Sequence, residues 1–319
     1  MRWLLAPLAW LFGVVVAVRN ALYDARVLRV RRAKVPVISV GSLEVGGAGK
    51  TPLVMLVCEL AAKLGHRVAI LTRGYRGALE AVGGEVLPGD DAARAGDEPL
   101  LLTRRLCALG VRVYAGKHRH RTAALAVENG ATLLVLDDGF QHRALHRDLD
   151  LVLVDGRDAA RGRDHHLLPW GRLREARTAL GRARLVCVRG DGLPPLLSAC
   201  QQLVRVQDTL LDVVAWPEGR VEALSFLRAR ELTLVAGIAR PERFAAAVEG
   251  LGARIVERRI FRDHHAFSPR DLANSRAPLC TTEKDAMRLP PGTRAFVLRH
   301  ALRLVEGEPE LTEALRRLR

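Results

Sequence analysis

Residues 35–65 read VPVISVGSLEVGGAGKTPLVMLVCELAAKLG. VPVISVGS is a short apolar run with β-branched residues, and TPLVMLVCELAAKLG carries the longer apolar spacing of a buried helix, so the stretch predicts strand, loop, helix. The loop between them is VGGAGKT, residues 45–51. Glycines there let backbone N–H groups turn inward around phosphate oxygens, a lysine brings charge to β- and γ-phosphates, and a threonine offers its hydroxyl to Mg²⁺. Gly46, Gly47, Ala48, Gly49, Lys50 and Thr51 are therefore the predicted nucleotide contacts. Glu44 stands where the strict G-x-x-x-x-G-K-[ST] pattern has its first glycine. An ordinary glycine-rich turn is the bland alternative, but it gives no reason for the Lys-Thr pair.

Outward from this loop, HRVAILTRG (66–74), ATLLVLDDG (131–139) and DLDLVLVDG (148–156) are further strand candidates. Helical stretches such as EPLLLTRRLCALG (98–110) and RHRTAALAVENG (119–130) separate them. This alternation predicts an α/β chain built on a doubly wound parallel sheet of the P-loop NTPase type. Asp137 and Asp138 fall at the C-terminal end of an apolar strand, where such sheets gather ligand-binding groups. A carboxylate there holds Mg²⁺ opposite the phosphate loop, directly or through water, whereas two loop-capping aspartates are the plainer reading. Near residue 213 the texture changes: VVAWPEGRVEAL (213–224) reads as a hairpin or hinge about Pro217 and Gly219. ELTLVAGIA, PERFAAAVEGLG and ARIVERRIF then begin a second, smaller α/β domain. The expected organisation is residues 1–30 as an N-terminal membrane-surface helix with a basic flank, 31–212 as the P-loop core, and 213–319 as the smaller domain.

The apolar share of 49% over 319 residues is enough for two ordinary cores. The net charge of +15 rests on arginine, since only Lys34, Lys50, Lys63, Lys117 and Lys284 are lysines. No basic block is interleaved with aromatics, which argues against nucleic acid and leaves a phosphorylated substrate or an anionic membrane surface as the better match. Cys58, Cys107, Cys187, Cys200 and Cys280 form no C-x-x-C pair, so reduced, buried cysteines are expected, with neither a disulfide framework nor a zinc site.

Residues 3–18, WLLAPLAWLFGVVVAV, carry no charge and are followed by Arg19, Arg26, Arg29, Arg31, Arg32 and Lys34. The run is shorter than the roughly 20 residues that span a bilayer and contains Pro7 and Gly13, so a helix lying in the membrane face is expected. A signal peptide and a helix packed on the protein's own core are the alternatives. Against export, no clear small-x-small cleavage site follows, and a nucleotide loop has no use outside the cell.

By themselves the loop and the acidic pair say only P-loop NTPase, a class that holds switches, pumps and kinases. Eight stretches go further: VGSLEVGGAGKTP (40–52), LTRGYRG (71–77), GDEPLLL (96–102), RTAAL (121–125), LDDGFQHRAL (136–145), LLPWGRLREA (167–176), FRDHHAFS (261–268) and TTEKDAMRL (281–289). In this order they resemble the tetraacyldisaccharide 4′-kinases of lipid A assembly. The resemblance implies an ATP- and Mg²⁺-dependent transfer of phosphate to the 4′-hydroxyl of an acylated disaccharide 1-phosphate, at the cytoplasmic face of the bacterial inner membrane. It implies that Lys50 and Thr51 serve ATP and Mg²⁺, and that Asp137 and Asp138 lie at the phosphate centre. It further implies that Asp97 and His264 form a dyad that deprotonates the hydroxyl, with the adjacent His265 as the other choice. Tyr75, Glu98, Arg121, Gln141 and Glu175 lie in matching motifs and are expected near nucleotide or sugar phosphate. Ser42, Ala48, Trp170 and Arg172 depart from the family pattern without removing a residue assigned to chemistry. A nucleotide-driven switch or partner-loading ATPase or GTPase is the alternative function.

Overall fold

A computed structural model describes residues 2–46, 49–156, 166–192 and 202–318. Gly47 and Ala48, two of the expected phosphate-loop contacts, lie outside the described residues, as does Cys200. Cys58, Cys187 and Cys280 are buried free thiols, but Cys107 is exposed, contrary to the expectation of burial.

The described strands are β1 (Val37–Gly41), β2 (Val68–Thr72), β3 (Gly84–Val86), β4 (Arg112–Ala115), β5 (Leu133–Asp137), β6 (Leu149–Asp155), β7 (Leu185–Arg189), β8 (Gln202–Trp216), β9 (Arg220–Glu222), β10 (Glu231–Ala236), β11 (Arg254–Ile260), β12 (Leu279–Thr282) and β13 (Ala295–Glu306). They form one sheet in the order β11-β10-β12-β13-β8-β7-β6-β1-β5-β2-β4-β3, with β9 paired to β8. All five residues of β1 are buried, as a strand covered on both faces requires. The helix Lys50–Lys63 buries Leu53, Val54, Val57, Cys58 and Ala61, the i, i+3, i+4 spacing of one apolar face. Each such leucine or valine removed from water contributes about 1.5–3 kcal/mol, so packing, more than propensity, holds this helix in place.

The sheet consists of two parallel blocks of opposite direction. One block runs from β8 through β7, β6, β1, β5 and β2 to β4, with β3 antiparallel at its edge. The other contains β11, β10, β12 and β13. The antiparallel pair β8 and β13 joins them. The register sets how the blocks face each other. β8 pairs with β7 only over residues 202–206 and continues to Trp216, while β12 pairs with β13 where β13 meets Val213–Trp216. The second block therefore sits beyond the C-terminal edge of the first and runs back toward it. Each block turns its ligand-gathering C-terminal edge toward the other.

The segment around 213 is a hairpin, β8 to β9, as read from the sequence, although β8 itself starts in the first block and crosses that position. One core lies under the first block and is completed by Leu302, Leu311 and Leu315 from the chain's end. A separate one is built from residues between Val213 and Leu298.

The N-terminal helix is longer than its uncharged run. The 3-10 turn Arg2–Leu5 leads into Ala6–Asp24, with Pro7 in the first turn, where a missing N–H costs nothing. The 22 residues Trp3–Asp24 are long and apolar enough to cross a membrane by length and composition. Trp3, Trp10, Leu11, Val15 and Val18 are all more than half exposed, so the helix does not pack into the protein's own core. Its last turns are fixed: Asn20 donates to Glu175 (2.9 Å), and Arg143 pairs with Asp24 (2.6 Å) and donates to the Asn20 carbonyl (3.1 Å).

Candidate active site

The turn after β1 carries the residues expected to hold phosphate. Gly49 caps the helix Lys50–Lys63 with φ +82, a conformation that favours glycine, and a β-carbon there would lie 2.6 Å from the Arg189 guanidinium. Arg189 is itself clamped to Asp208 at 2.6 and 2.9 Å. Arg172 donates to the carbonyls of Val45 (2.8 Å) and Gly46 (3.1 Å), so a side chain that departs from the family pattern supports the loop. Trp170, beside it, stacks on His166 at 3.6 Å. Lys50 Nζ lies 3.3 Å from Asp138 and 3.4 Å from the Ser42 hydroxyl. Thr51 follows in the first turn of the helix.

β5 ends at Asp137, and Asp138 turns out of the strand with φ +53. Arg174 pairs with Asp138 at 2.7 Å. Gln141 donates to the Ser42 carbonyl (3.1 Å) and accepts from Arg174 (3.4 Å), which ties the acidic turn to β1. Asp137 is 4% exposed and its carboxylate accepts a bond from Thr72 at 3.2 Å. Burial, then the neighbouring charges of Glu98 and Asp138, push its carboxyl up to about 7, with Lys50 and Thr72 pulling the other way. Asp138 moves in the opposite direction: burial alone would raise it, but Lys50 and Arg174 hold it below the usual range. Its Oδ1 is shielded from solvent and, among the described residues, has no donor in hydrogen-bond geometry, although Lys50 lies 3.3 Å away.

The other side of the cleft comes from the second block. β10 leads into Gly237, β11 leads into Phe261–His265, and β12 leads into the short helix Glu283–Ala286, capped by the Thr282 side chain on the Asp285 N–H (3.2 Å). Asp285 accepts from the Gly237 N–H (3.1 Å) and from Arg288, and Arg288 donates to the carbonyls of Gly237 (3.1 Å) and His265 (2.9 Å). This frame holds His264 at φ +60, with its N–H on the Gly237 carbonyl (3.1 Å) and its own carbonyl on Arg76 (2.9 Å). Such a conformation costs a non-glycine residue about 1–3 kcal/mol and persists only where the surroundings impose it.

Asp97 opens the helix Asp97–Leu106 from the first block, where the helix dipole favours a carboxylate. Its Oδ2 lies 2.9 Å from His264 Nδ1 and 3.3 Å from Arg288 Nε, and its Oδ1 accepts from the Glu98 N–H at 2.9 Å. Burial works to raise its carboxyl, but the hydrogen bond from His264 and the charges of Lys284, His264 and Arg288 outweigh that and lower it. Glu98 pairs with Lys284 at 3.0 Å, and Tyr75 meets the His264 ring edge-on at 5.7 Å. Further contacts span the cleft, among them Arg105 with Glu283 at 2.7 Å and Asp155 with Arg243 at 3.1 Å.

The structure thus brings together Lys50, Asp137, Asp138, Glu98, Asp97, His264 and Tyr75. His265 points elsewhere, to Asp271 at 3.1 Å. Arg121 is exposed on its helix; the arginine that faces the acidic centre from the same helix is Arg119, 7% exposed. Burial brings Arg119 down to about 10, against the pull of Asp137. Glu175 is fully buried with Arg182 (2.8 Å) and Asn20, where it fastens the N-terminal helix. The sequence alone does not single out Arg119, Arg174, Lys284 or Arg288. Three of them lie in or beside quoted motifs, but among so many arginines only three-dimensional neighbours distinguish them.

Comparison with known proteins gives a consistent result. The family model described as tetraacyldisaccharide-1-P 4′-kinase matches residues 1–318. A tetraacyldisaccharide 4′-kinase from Anaeromyxobacter dehalogenans (strain 2CP-1 / ATCC BAA-258) is 44% identical, over 94% of this chain and 84% of its own length. Another from Halorhodospira halophila is 39% identical, over 98% and 91%. The crystal structure of the "apo" form of LpxK from Aquifex aeolicus in complex with ATP superposes with a TM-score of 0.83 at 30% identity, covering 99% of each chain.

Proposed function

This chain belongs to the tetraacyldisaccharide-1-P 4′-kinase family, and from that premise we propose how its residues divide the work of moving a phosphate from ATP to a lipid disaccharide. It is a kinase of lipid A biosynthesis that uses ATP, with the 4′-hydroxyl of the acylated disaccharide 1-phosphate as acceptor. Family membership displaces the nucleotide-switch alternative.

The observation that carries the residue assignment is the hydrogen bond between Asp97 and His264 across the cleft, at the end of a helix whose next residue, Glu98, acts electrostatically on Asp137. ATP lies on the loop 45–51 with Lys50 at its β- and γ-phosphates. Asp97 fixes the His264 ring through Nδ1, and Nε2 accepts the proton of the 4′-hydroxyl. The freed oxygen bonds to the γ-phosphorus as the bond to the β–γ bridging oxygen breaks, leaving ADP. Lys50, Arg119 and Arg174 offset the charge that moves. Tyr75 borders the sugar. Arg121 and Glu175, also expected near substrate, stand outside this set of roles.

Thr51, Asp137 and Asp138 would hold Mg²⁺. The donor set fits: among the described residues Asp137 is a buried carboxylate with a single side-chain hydrogen bond, and Asp138 has an oxygen shielded from solvent with the Lys50 ammonium 3.3 Å away. Bound there, the ion supplies positive charge to the phosphate oxygens. A proton count follows. The Asp137 carboxyl, raised to about 7, is partly protonated near neutrality and must ionise to meet a cation, so binding Mg²⁺-ATP at pH 7 releases roughly half a proton. Calorimetry in buffers of different ionisation enthalpy measures this, and Asp137→Asn abolishes it. The same shift makes the unliganded fold gain stability as pH falls from about 7 toward 4, because the folded state then binds the proton that the unfolded chain does not.

The N-terminal helix and the basic residues after it place the enzyme on the cytoplasmic face of the inner membrane. Deleting residues 1–20 shifts the protein from the membrane fraction to the soluble one and raises the KM for lipid; unchanged fractionation refutes the anchor. The separate cores support the division at residue 212, with the C-terminal strand and helix returning to the first core. Incubating purified protein with labelled ATP and the tetraacyl disaccharide 1-phosphate, and locating the label, tests the activity itself. No label at the 4′ position means the reading is wrong.

A further inference from the structure

Lys284 stands where the mechanism leaves a gap. Its Nζ is 3.2 Å from His264 Nε2, 3.0 Å from Glu98 Oε1 and 3.4 Å from Asp263 Oδ1, and its side chain is 20% exposed. An ammonium has three N–H donors and no acceptor. Nε2 must therefore present its lone pair to Lys284, and the ring proton resides on Nδ1, facing Asp97 at 2.9 Å. The tautomer is set from both sides. It is the one a base needs, yet the lone pair that should receive the substrate proton is the one Lys284 occupies.

Resting on the reading above, we propose that Lys284 is a further catalytic residue, whose ammonium holds the place of the acceptor hydroxyl on His264 and then donates to that same oxygen during transfer. The hydroxyl displaces one N–H of Lys284 from Nε2. Glu98 and Asp263 keep the ammonium beside the incoming oxygen, and the released N–H turns to it. The O–H proton passes to Nε2, the oxygen bonds to the γ-phosphorus, and the β–γ bridging bond breaks toward ADP. At each moment the partial negative charge on the acceptor oxygen faces an ammonium, which is the arrangement that stabilises developing charge without reorganisation. Lys284 belongs to the second block and Glu98 to the first, so the contact forms only with the cleft closed.

The test is a mutant cycle on the full-length enzyme with labelled ATP and the disaccharide. Lys284→Met lowers kcat about 10²–10³-fold, the usual loss for one such donor, and leaves both KM values within about threefold. In a His264→Asn background, where no base takes the proton, the same substitution costs less than about threefold, because groups acting as a unit are not additive. Ethylammonium added to Lys284→Ala restores at least about tenfold of the lost rate. A role confined to neutralising the local carboxylates gives the same penalty in both backgrounds, whether or not the free amine restores rate. That outcome, or a kcat for Lys284→Met near wild type, overturns the proposal. If Lys284→Met does not fold, Lys284→Gln takes its place in the same cycle, with the same two outcomes. Failure of the wild-type protein to label the lipid defeats the kinase reading and this inference together; an active wild type with an unaffected variant defeats this inference alone.

Discussion

Replacing His264 with asparagine lowers kcat for phosphate transfer by about 10²–10⁴-fold, the contribution of a positioned acid–base group. Steady-state kinetics on labelled ATP reads this directly, with the KM for ATP expected near wild type because His264 lies on the opposite side of the cleft from the loop 45–51. Asp97→Asn produces a loss of similar size, since an amide no longer holds the ring in the tautomer that exposes Nε2. The double variant falls little further, because the two act as one device. A kcat for either single variant within about threefold of wild type removes that residue from the chemistry.

Asp97→Ala is the poorer probe. Arg288, 7% exposed at its side chain, has Asp97 at 3.3 Å, and cutting the carboxylate away leaves a buried cation short of a partner. Losses of this kind run to about 3–5 kcal/mol of stability, so a dead alanine variant could be an unfolded one. The sign of the pH effect separates the two. Asp97 ionises more readily in the fold than in the unfolded chain, so its contribution to stability is present at neutral pH and disappears as pH falls below the ordinary aspartate range. Wild type and Asp97→Asn should differ in melting temperature at pH 7 and converge in acid.

Lys50→Ala is expected to cost about 10²–10³ in kcat together with a weaker grip on ATP, because in the proposed mechanism the ammonium meets the β- and γ-phosphates in ground and transition states alike. Lys50→Arg does not restore it: the planar fork is wider than a point charge, and Asp138 (3.3 Å) and Ser42 (3.4 Å) crowd the space. Isothermal titration with ATP and turnover on the lipid separate binding from rate. Full activity in purified Lys50→Ala removes the loop from the reaction.

Much of this is legible in the residues alone. The strand, loop and helix around residues 37–63, the carboxylates at the end of β5 and the α/β unit after residue 231 follow from local periodicity and composition, and the structure has them at those places. What periodicity cannot convey is pairing between distant segments. β8 and β13 pair across about ninety residues of sequence, a long-range contact of the kind local patterns do not encode, and only that pairing explains why the loop after β11 meets the helix beginning at Asp97. The same limit hides Arg119 behind Arg121, two neighbours on one helix that differ in which way they face. Glu175 shows the reverse case: a charged residue in a motif, read as a substrate contact, is a buried structural tie.

That tie has a mechanical meaning. The segment from Asp138 to Arg143 carries at one end a carboxylate against Lys50 and at the other the arginine that grips Asp24, and the segment from Arg172 to Glu175 joins the same two places. The exposed apolar rod is thus bolted to the turn after β1 and the acidic end of β5 at two points and does not hang from a flexible tether. On any surface it lies against, the height of Lys50 above that surface is a fixed dimension of the molecule, much as the length of a bracket sets the distance of a shelf from the wall.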